Sequence, residues 1–270
     1  NIQTMTWTNN NERTVRWFPG VKLLVLVSFL FCIFSDGKAS ISLHKANIDL
    51  SNNAIIDIYQ DDHGYMWIGT YDGLNLFNGR NTYVYRFEPD NKYTLCSNII
   101  NKISDGGPGY LWISTSMGLN RFSLRDRKVT ESYPEYPECV LIATDSLENT
   151  LVISQKNFIS CHTARTGAFQ DIYTQGINPG TTKILFTDRQ GGFYLLSSDG
   201  ALKQLVPDYS RLPLTIQIRE NKIHDGQISQ AFYEEGIIYY LDTDNKLYQY
   251  SIDKNRKEYL FDLSGWIEKY

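Results

Sequence analysis

Asn53–Phe77 reads NAIIDIYQDDHGYMWIGTYDGLNLF, and Asn98–Phe122 reads NIINKISDGGPGYLWISTSMGLNRF. At a shift of 45 the two stretches agree without a gap at 12 of 25 positions, Trp67/Trp112, Gly64/Gly109, Thr70/Thr115, Gly73/Gly118 and Asn75/Asn120 among them. Agreement at that level within one chain marks an internal repeat. With the Trp as register mark, fainter copies follow. Leu151-Val152-Ile153-Ser154 matches Leu111-Trp112-Ile113-Ser114, while Gly191-Gly192-Phe193-Tyr194-Leu195 and Gly236-Ile237-Ile238-Tyr239-Tyr240 repeat the turn-then-strand order. The marks fall at 67, 112, 152, 194 and 239, a period of 40–45 residues.

Each unit reads as four short strands. In the first, Ile55–Gln60 alternates apolar and polar residues, and Asp61-Asp62-His63-Gly64 is turn chemistry. Tyr65–Thr70 is a second strand, Asp72-Gly73 a second turn and Leu74–Phe77 a third strand. Asn78-Gly79 then reads as a type I′ turn before a fourth strand, Thr82–Phe87. Four antiparallel strands per 40–45 residues is the period of a β-propeller blade, an all-β fold in which sheets stack round an axis. Blades are expected near 53–90, 98–132, 140–175, 182–220 and 227–262, within a domain spanning 40–270. The third is the faintest in sequence. Trp67 and Trp112 fall in mid-strand and are expected to pack between sheets, while Gly64, Gly109, Gly73 and Gly118 mark turns. Composition agrees, with 19 Tyr against 3 Met.

Ahead of the repeats, Val21–Phe34 (VKLLVLVSFLFCIF) follows Arg13 and Arg16 and precedes the small residues Gly37 and Ala39. That order is a secretory signal, with cleavage expected after Ala39, so residues 1–39 are read as a signal peptide. Net charge is −4, and −6 without residues 1–39. No Lys/Arg cluster suggests a nucleic-acid surface. Cys96, Cys139 and Cys161 remain after cleavage, an odd number that is no disulfide framework, though a Cys139–Cys161 bridge is open to an exported chain.

The segments Asp61-x-x-Gly64-Tyr65-Met66-Trp67-Ile68-Gly69-Thr70-x-x-Gly73-Leu74-Asn75 and Gly109-Tyr110-Leu111-Trp112-Ile113-Ser114-Thr115-x-x-Gly118-Leu119-Asn120 resemble the regulator-propeller repeat of Bacteroides-type hybrid two-component systems. The resemblance implies a periplasmic, non-enzymatic sensor that recognises oligosaccharides released from complex glycans. It also implies seven-bladed rings, dimerisation through a full-length sensor, and a membrane helix and histidine kinase further along. On that reading the five blades are part of a seven-bladed ring truncated at its C-terminus, and Leu263–Tyr270 begins a sixth. Ile41–Ala46 would supply a closing outer strand.

Ligand candidates are sought in the turns at the blade ends. These are Tyr71, Asp72, Asn75, His63 and Asn120, with Ser116 and Met117 beside the last. Tyr71 ranks first, because an exposed aromatic next to a carboxylate offers a stacking face and an acceptor. No catalytic residue, metal site or cofactor is nominated. Asp57, Asp61, Asp62 and His63 read as solvated turn polarity rather than a metal site. Asp242-Thr243-Asp244-Asn245 lacks the later Gly and Glu of a calcium loop. Gly106-Gly107-Pro108-Gly109 reads as a blade turn with no helix behind it to cradle phosphate. The alternatives to a glycan sensor are a propeller scaffold that binds protein, or a secreted propeller lyase or glycosidase.

Overall fold

The computed structural model describes residues 6–7, 15–16, 48–155, 158–172, 177–188, 190–211 and 214–264. The chain divides into two units, Asn1–Asn47 and Ile48–Tyr270. In the first, β1 (Thr6–Trp7) and β2 (Val15–Arg16) pair antiparallel. The apolar run 21–34, the cleavage point after Ala39 and the segment Ile41–Ala46 lie outside the described residues, as does most of Leu263–Tyr270.

The second unit is built from five four-stranded antiparallel sheets, each made of strands consecutive in sequence. The first holds β3 (Ile55–Gln60), β4 (Met66–Thr70), β5 (Gly73–Phe77) and β6 (Thr82–Tyr85). The second holds β7 (Ile100–Asp105), β8 (Tyr110–Thr115), β9 (Gly118–Ser123) and β10 (Lys128–Tyr133). The third holds β11 (Cys139–Thr144), β12 (Thr150–Ser154), β13 (Ile159–Thr163) and β14 (Ala168–Ile172). The fourth holds β15 (Thr182–Thr187), β16 (Phe193–Ser197), β17 (Ala201–Asp208) and β18 (Thr215–Lys222). The fifth holds β19 (Ile228–Glu234), β20 (Ile237–Asp242), β21 (Lys246–Ser251) and β22 (Arg256–Asp262). Leading strands meet blade to blade, β3 on β7, β7 on β11, β11 on β15 and β15 on β19. This is a β-propeller, and the sequence-faint third unit is a complete blade.

One irregularity recurs in every blade. Pairing of the first strand with the second slips by one residue between Ile55 and Asp57, Ile100 and Lys102, Cys139 and Leu141, Thr182 and Ile184, and Ile228 and Gln230. A bulge bends its strand and increases local twist, which suits the strands crowded nearest the axis. Side chains then stitch neighbouring first strands together. Asp57 accepts from the Ile103 amide at 2.7 Å and from Lys102 Nζ at 3.0 Å. Ser104 Oγ donates to the Ile142 carbonyl, Thr144 Oγ1 to that of Asp105, and Thr187 Oγ1 to that of Thr144.

The larger force is apolar. Trp67 and Trp112 are each 1% exposed. Trp67 packs with Tyr85 of its own blade and Phe122 of the next, at ring separations of 6.0 and 5.3 Å. Trp112 does the same with Tyr133 and, across the interface, Phe169. Fourth and fifth blades meet through Phe186 stacked on Tyr233 at 4.1 Å. The second sheet comes so close to the first that a Cβ on Gly69 would lie 2.6 Å from Ile100 Cγ2.

Each buried indole N–H has its acceptor, by different routes. Trp67 Nε1 donates to Asp61 Oδ2 at 2.9 Å within its own blade. The second blade has Gly106 at the position of Asp61, and Trp112 Nε1 donates instead to Thr150 Oγ1 of the third blade, also at 2.9 Å. Asp61 is therefore a turn residue with a full carboxylate, its Oδ1 taking the His63 and Tyr65 amides. Asp145 and Asp188 repeat that pattern toward Leu147 and Asn149, and toward Gln190 and Gly192.

Two turn readings are corrected or completed. Asn78-Gly79 is not a two-residue type I′ turn, because Phe77 pairs with Thr82 and four residues form the loop. The Asn78 side chain accepts from the Arg80 and Asn81 amides, which stabilises the longer turn. Gly73 and Gly118 have φ of 114° and 150°, and a Cβ at either would press on the carbonyls of Tyr85 and Tyr133 at 2.7 and 2.9 Å. Cys139 and Cys161 are buried free thiols, and burial raises both to about 12, so the optional bridge is not formed.

Truncating either Trp removes a side chain shared by two sheets. Trp67→Ala and Trp112→Ala should each cost roughly 3–5 kcal/mol, read as a large drop in melting temperature. A variant that melts like the parent contradicts the packing role. Acid sensitivity has an identifiable source. His162 and His224 are 2% and 9% exposed, and burial holds both imidazoles below their usual range. The unfolded chain takes up those protons near pH 6.5 while the fold resists, so stability is greatest above that pH and declines as pH falls below it. Thermal melts should show that decline, and His162→Phe with His224→Phe should flatten it. An unchanged slope in the double variant contradicts the assignment.

Candidate functional site

Strand faces are consumed by stacking, so available chemistry lies in the turns at the two ends of the blades. One end carries the turns joining first to second and third to fourth strands. The opposite end carries the second-to-third turns and the connections between blades. The nominated residues divide between these ends and the interior.

Tyr71 and Asp72 form the β4–β5 turn. Tyr71 is 54% exposed, with no stacking partner among the described residues. Asp72 is held by Arg86 in a two-point ion pair, Nη2 to Oδ2 at 2.8 Å and Nε to Oδ1 at 3.2 Å. That contact keeps the Asp72 carboxyl below the usual carboxylate range. The equivalent turn of the second blade offers Ser116 and Met117, the latter 66% exposed. This end therefore presents an aromatic, a neutralised carboxylate and a thioether.

Asn75 and Asn120 do not belong to that surface. Both are fully buried. Asn75 Oδ1 accepts from the Ser51 amide at 2.9 Å, and its Nδ2 donates to Ser51 Oγ at 2.9 Å and the Ile68 carbonyl at 3.2 Å. Asn120 repeats the hook on the Cys96 amide and the Ile113 carbonyl. These side chains tie the segment leading into each blade to its second and third strands, and their hydrogen-bonding groups are spent there.

His63 lies at the other end, in the β3–β4 turn, stacked on Tyr65 at 6.2 Å. It opens into a cleft of about 290 Å³ between the first and second blades. Asp62, Tyr65 and the edge of Trp67 line one side, and Arg125 and Arg127 of the β9–β10 turn line the other. Arg127 adopts φ of 52°, lies over the Tyr83 ring at 5.4 Å and also lines a neighbouring cleft of about 240 Å³ with Tyr93 and Lys128. Lys128 in turn sits over Tyr93 at 4.7 Å. Arg127 is common to both clefts, and His63 belongs to the first of them. Sequence reading missed the arginines because the third-to-fourth turn is not repeated between units. The local run Arg125-Asp126-Arg127-Lys128 was the available signal. Among the described residues no group of three or more His, Cys, Asp or Glu is placed to hold a metal ion.

Residues 49–72, spanning the lead-in, β3, its turn and β4, match the family described as Two component regulator propeller. The first blade carries a regulator-propeller repeat. The chain is also 36% identical over 78 residues to Histidine kinase P4 of Formosa agariphila, a match covering 28% of this chain and 6% of the kinase. In fold, the five-bladed unit is similar to the extracellular domains of BT4673 and BT3049 from B. thetaiotaomicron, both described as putative hybrid two component systems. TM-scores are 0.60 and 0.59, at 16% and 14% identity, covering 81% and 93% of this chain. The WD40 domain of Neurospora crassa Pan2 shares the propeller architecture at a TM-score of 0.52 and 16% identity, over 76% of this chain and 64% of that one. The chain spans 31% of each B. thetaiotaomicron domain.

If the asparagines are structural hooks, Asn75→Ala and Asn120→Ala should each lose about 2–4 kcal/mol, near 1 kcal/mol per hydrogen bond. Exposed Tyr71→Ala should leave stability within about 0.5 kcal/mol of the parent. Denaturant titration checks both. Stable asparagine variants contradict the hook.

Proposed function

We propose that this chain is the ligand-sensing propeller of a two-component signalling protein, that it works in the periplasm, and that its ligand is an oligosaccharide released from a complex glycan. The observation that carries the reading is the match of residues 49–72 to the regulator propeller, set in a fold shared with extracellular domains of such systems. The groove chemistry supports the ligand class. Tyr65 and Tyr93 bring aromatic surface to the two clefts, with Arg125, Arg127, His63 and Asp62 as directional polar partners. Signalling then requires only that ligand bind one packing of the blades, or one dimer geometry, better than another. No bond need be broken in this segment, and the read-out belongs to a kinase elsewhere in the full protein.

Calorimetric titration of the chain against oligosaccharide pools from digested plant, algal and host polysaccharides tests this. At least one pool should bind, with Arg125→Ala combined with Arg127→Ala weakening it at least tenfold and Tyr71→Ala serving as the control at the opposite end. Absence of heat with every pool contradicts the glycan reading. Steady release of new reducing ends from a polysaccharide would replace it with the enzyme reading.

A further inference from the structure

We propose that the cleft between the third and fourth blades is a second saccharide site and that it selects an acidic sugar, with Arg165 and Arg211 receiving the carboxylate or sulfate. That the ligand is a saccharide rests on the sensor reading above; the anion preference stands on the cleft itself. The cleft has a volume of about 310 Å³, at the lower end of the roughly 300–1,000 Å³ typical of small-molecule pockets. It lies at the same end of the blades as the His63 groove, two seams away. Its walls come from the β11–β12 and β13–β14 turns of the third blade and the β17–β18 turn of the fourth.

Four features converge there. First, Arg165 and Arg211 enter from different blades, and no acidic side chain lines the cleft. Arg165 makes no ion pair among the described residues. Arg211 contacts Asp208 through Nε at 3.0 Å, which leaves its terminal nitrogens available. Arg165, without an ion pair among the described residues, and Arg211, engaged by Asp208 only through Nε, bring planar guanidinium donors to one cleft, which suits a planar anion. Second, Tyr209 presents a ring that is 38% exposed while its hydroxyl is anchored on Asp145 Oδ2 at 3.4 Å. Burial, reinforced by the nearby Cys161 and Asp145, raises this phenol and keeps it neutral, and the tether holds the ring as a fixed stacking platform. Third, the Gln170 carbonyl oxygen is buried in the cleft wall without a hydrogen-bond donor. Such an acceptor is satisfied by a donor entering the cleft, and a sugar supplies hydroxyls. Fourth, Leu147 is 71% exposed on the rim beside these polar groups and gives the apolar edge that the face of a pyranose requires.

The turn chemistry explains why the site exists here. Asp145 Oδ2 corresponds to the oxygen that takes the Trp67 indole in the first blade. The third blade has Val152 at the Trp register position, and Asp145 Oδ2 instead receives Asn149 Nδ2 at 2.9 Å and the Tyr209 hydroxyl of the next blade. Loss of the Trp thus frees a carboxylate oxygen to hold a ligand platform.

The test uses the whole chain and three probes: tetragalacturonate, its fully methyl-esterified neutral counterpart, and inorganic sulfate. Tetragalacturonate should bind at least tenfold more tightly than the ester. Arg165→Gln and Arg211→Gln should each weaken it at least fivefold without moving the melting temperature, since both side chains are exposed. Gln170→Met should weaken binding of the acid while leaving or raising stability, because it removes a buried acceptor that has no donor. Equal affinity for acid and ester, no binding of the acid, or full affinity in both arginine variants overturns the proposal. Sulfate binding as tightly as tetragalacturonate would reduce the cleft to a simple anion contact and overturns it as well. If neutral pools still bind through the His63 groove while the acid does not bind, this inference fails and the sensor reading stands.

Discussion

A four-stranded sheet has two faces and can bury neither of them alone. In this chain that constraint is met by laying each sheet on the next, and the remaining features follow from it. The Trp on the second strand of the first two blades reaches across the interface, Gly69 lets the neighbouring Ile100 approach, and the bulged first strands turn tightly enough to converge. Where a sheet has a neighbour on both sides its first strand is buried, as with Ile100 at 0% and Ile103 at 2% exposed. At the first blade the equivalent Ile55 and Ile58 are 46% and 51% exposed, and in the fifth Phe232, Tyr259 and Phe261 exceed 50% or equal it. Neighbour contacts, not strand propensity, decide which residues are core.

The same constraint decides where recognition can occur. Stacking spends the strands, and the buried Asn75 and Asn120 hooks spend the turn-proximal amides, so binding chemistry collects in turns that vary from blade to blade. The third-to-fourth turns carry Arg125 and Arg127 in the second blade, Arg165 in the third and Arg211 in the fourth, each beside a seam between sheets. A seam is also the place where a ligand would sense the relative placement of two blades, which connects binding to a packing change.

Much of the architecture was legible because the repeat is written in residues the fold uses twice. Trp67 and Trp112, with Gly73 and Gly118, recur because sheet stacking and close backbone approach demand them. The same logic should have removed Asn75 and Asn120 from the ligand candidates. An Asn identical in both copies, in register with Trp and Gly, signals a structural duty, whereas Tyr71 and Ser116 differ at equivalent positions, as ligand-facing turns can. Other features were hidden because they depend on tertiary partners. Nothing local shows that Gly106 in place of Asp61 sends the Trp112 N–H to Thr150, or that Tyr209 reaches Asp145 across a seam. The clefts share this difficulty, since each is assembled from turns on two blades.

The central claim is that face-to-face contact between sheets holds this propeller together, and hydrogen exchange resolved by peptide tests it most directly. The account predicts slow, concerted exchange across Ile100–Asp105, Cys139–Thr144 and Thr182–Thr187, whose sheets have neighbours on both faces. It predicts exchange faster by orders of magnitude across Ile55–Gln60 and Arg256–Asp262, in the sheets with exposed apolar faces. Equal protection of these five segments would contradict it, because stability would then not follow the contacts between blades.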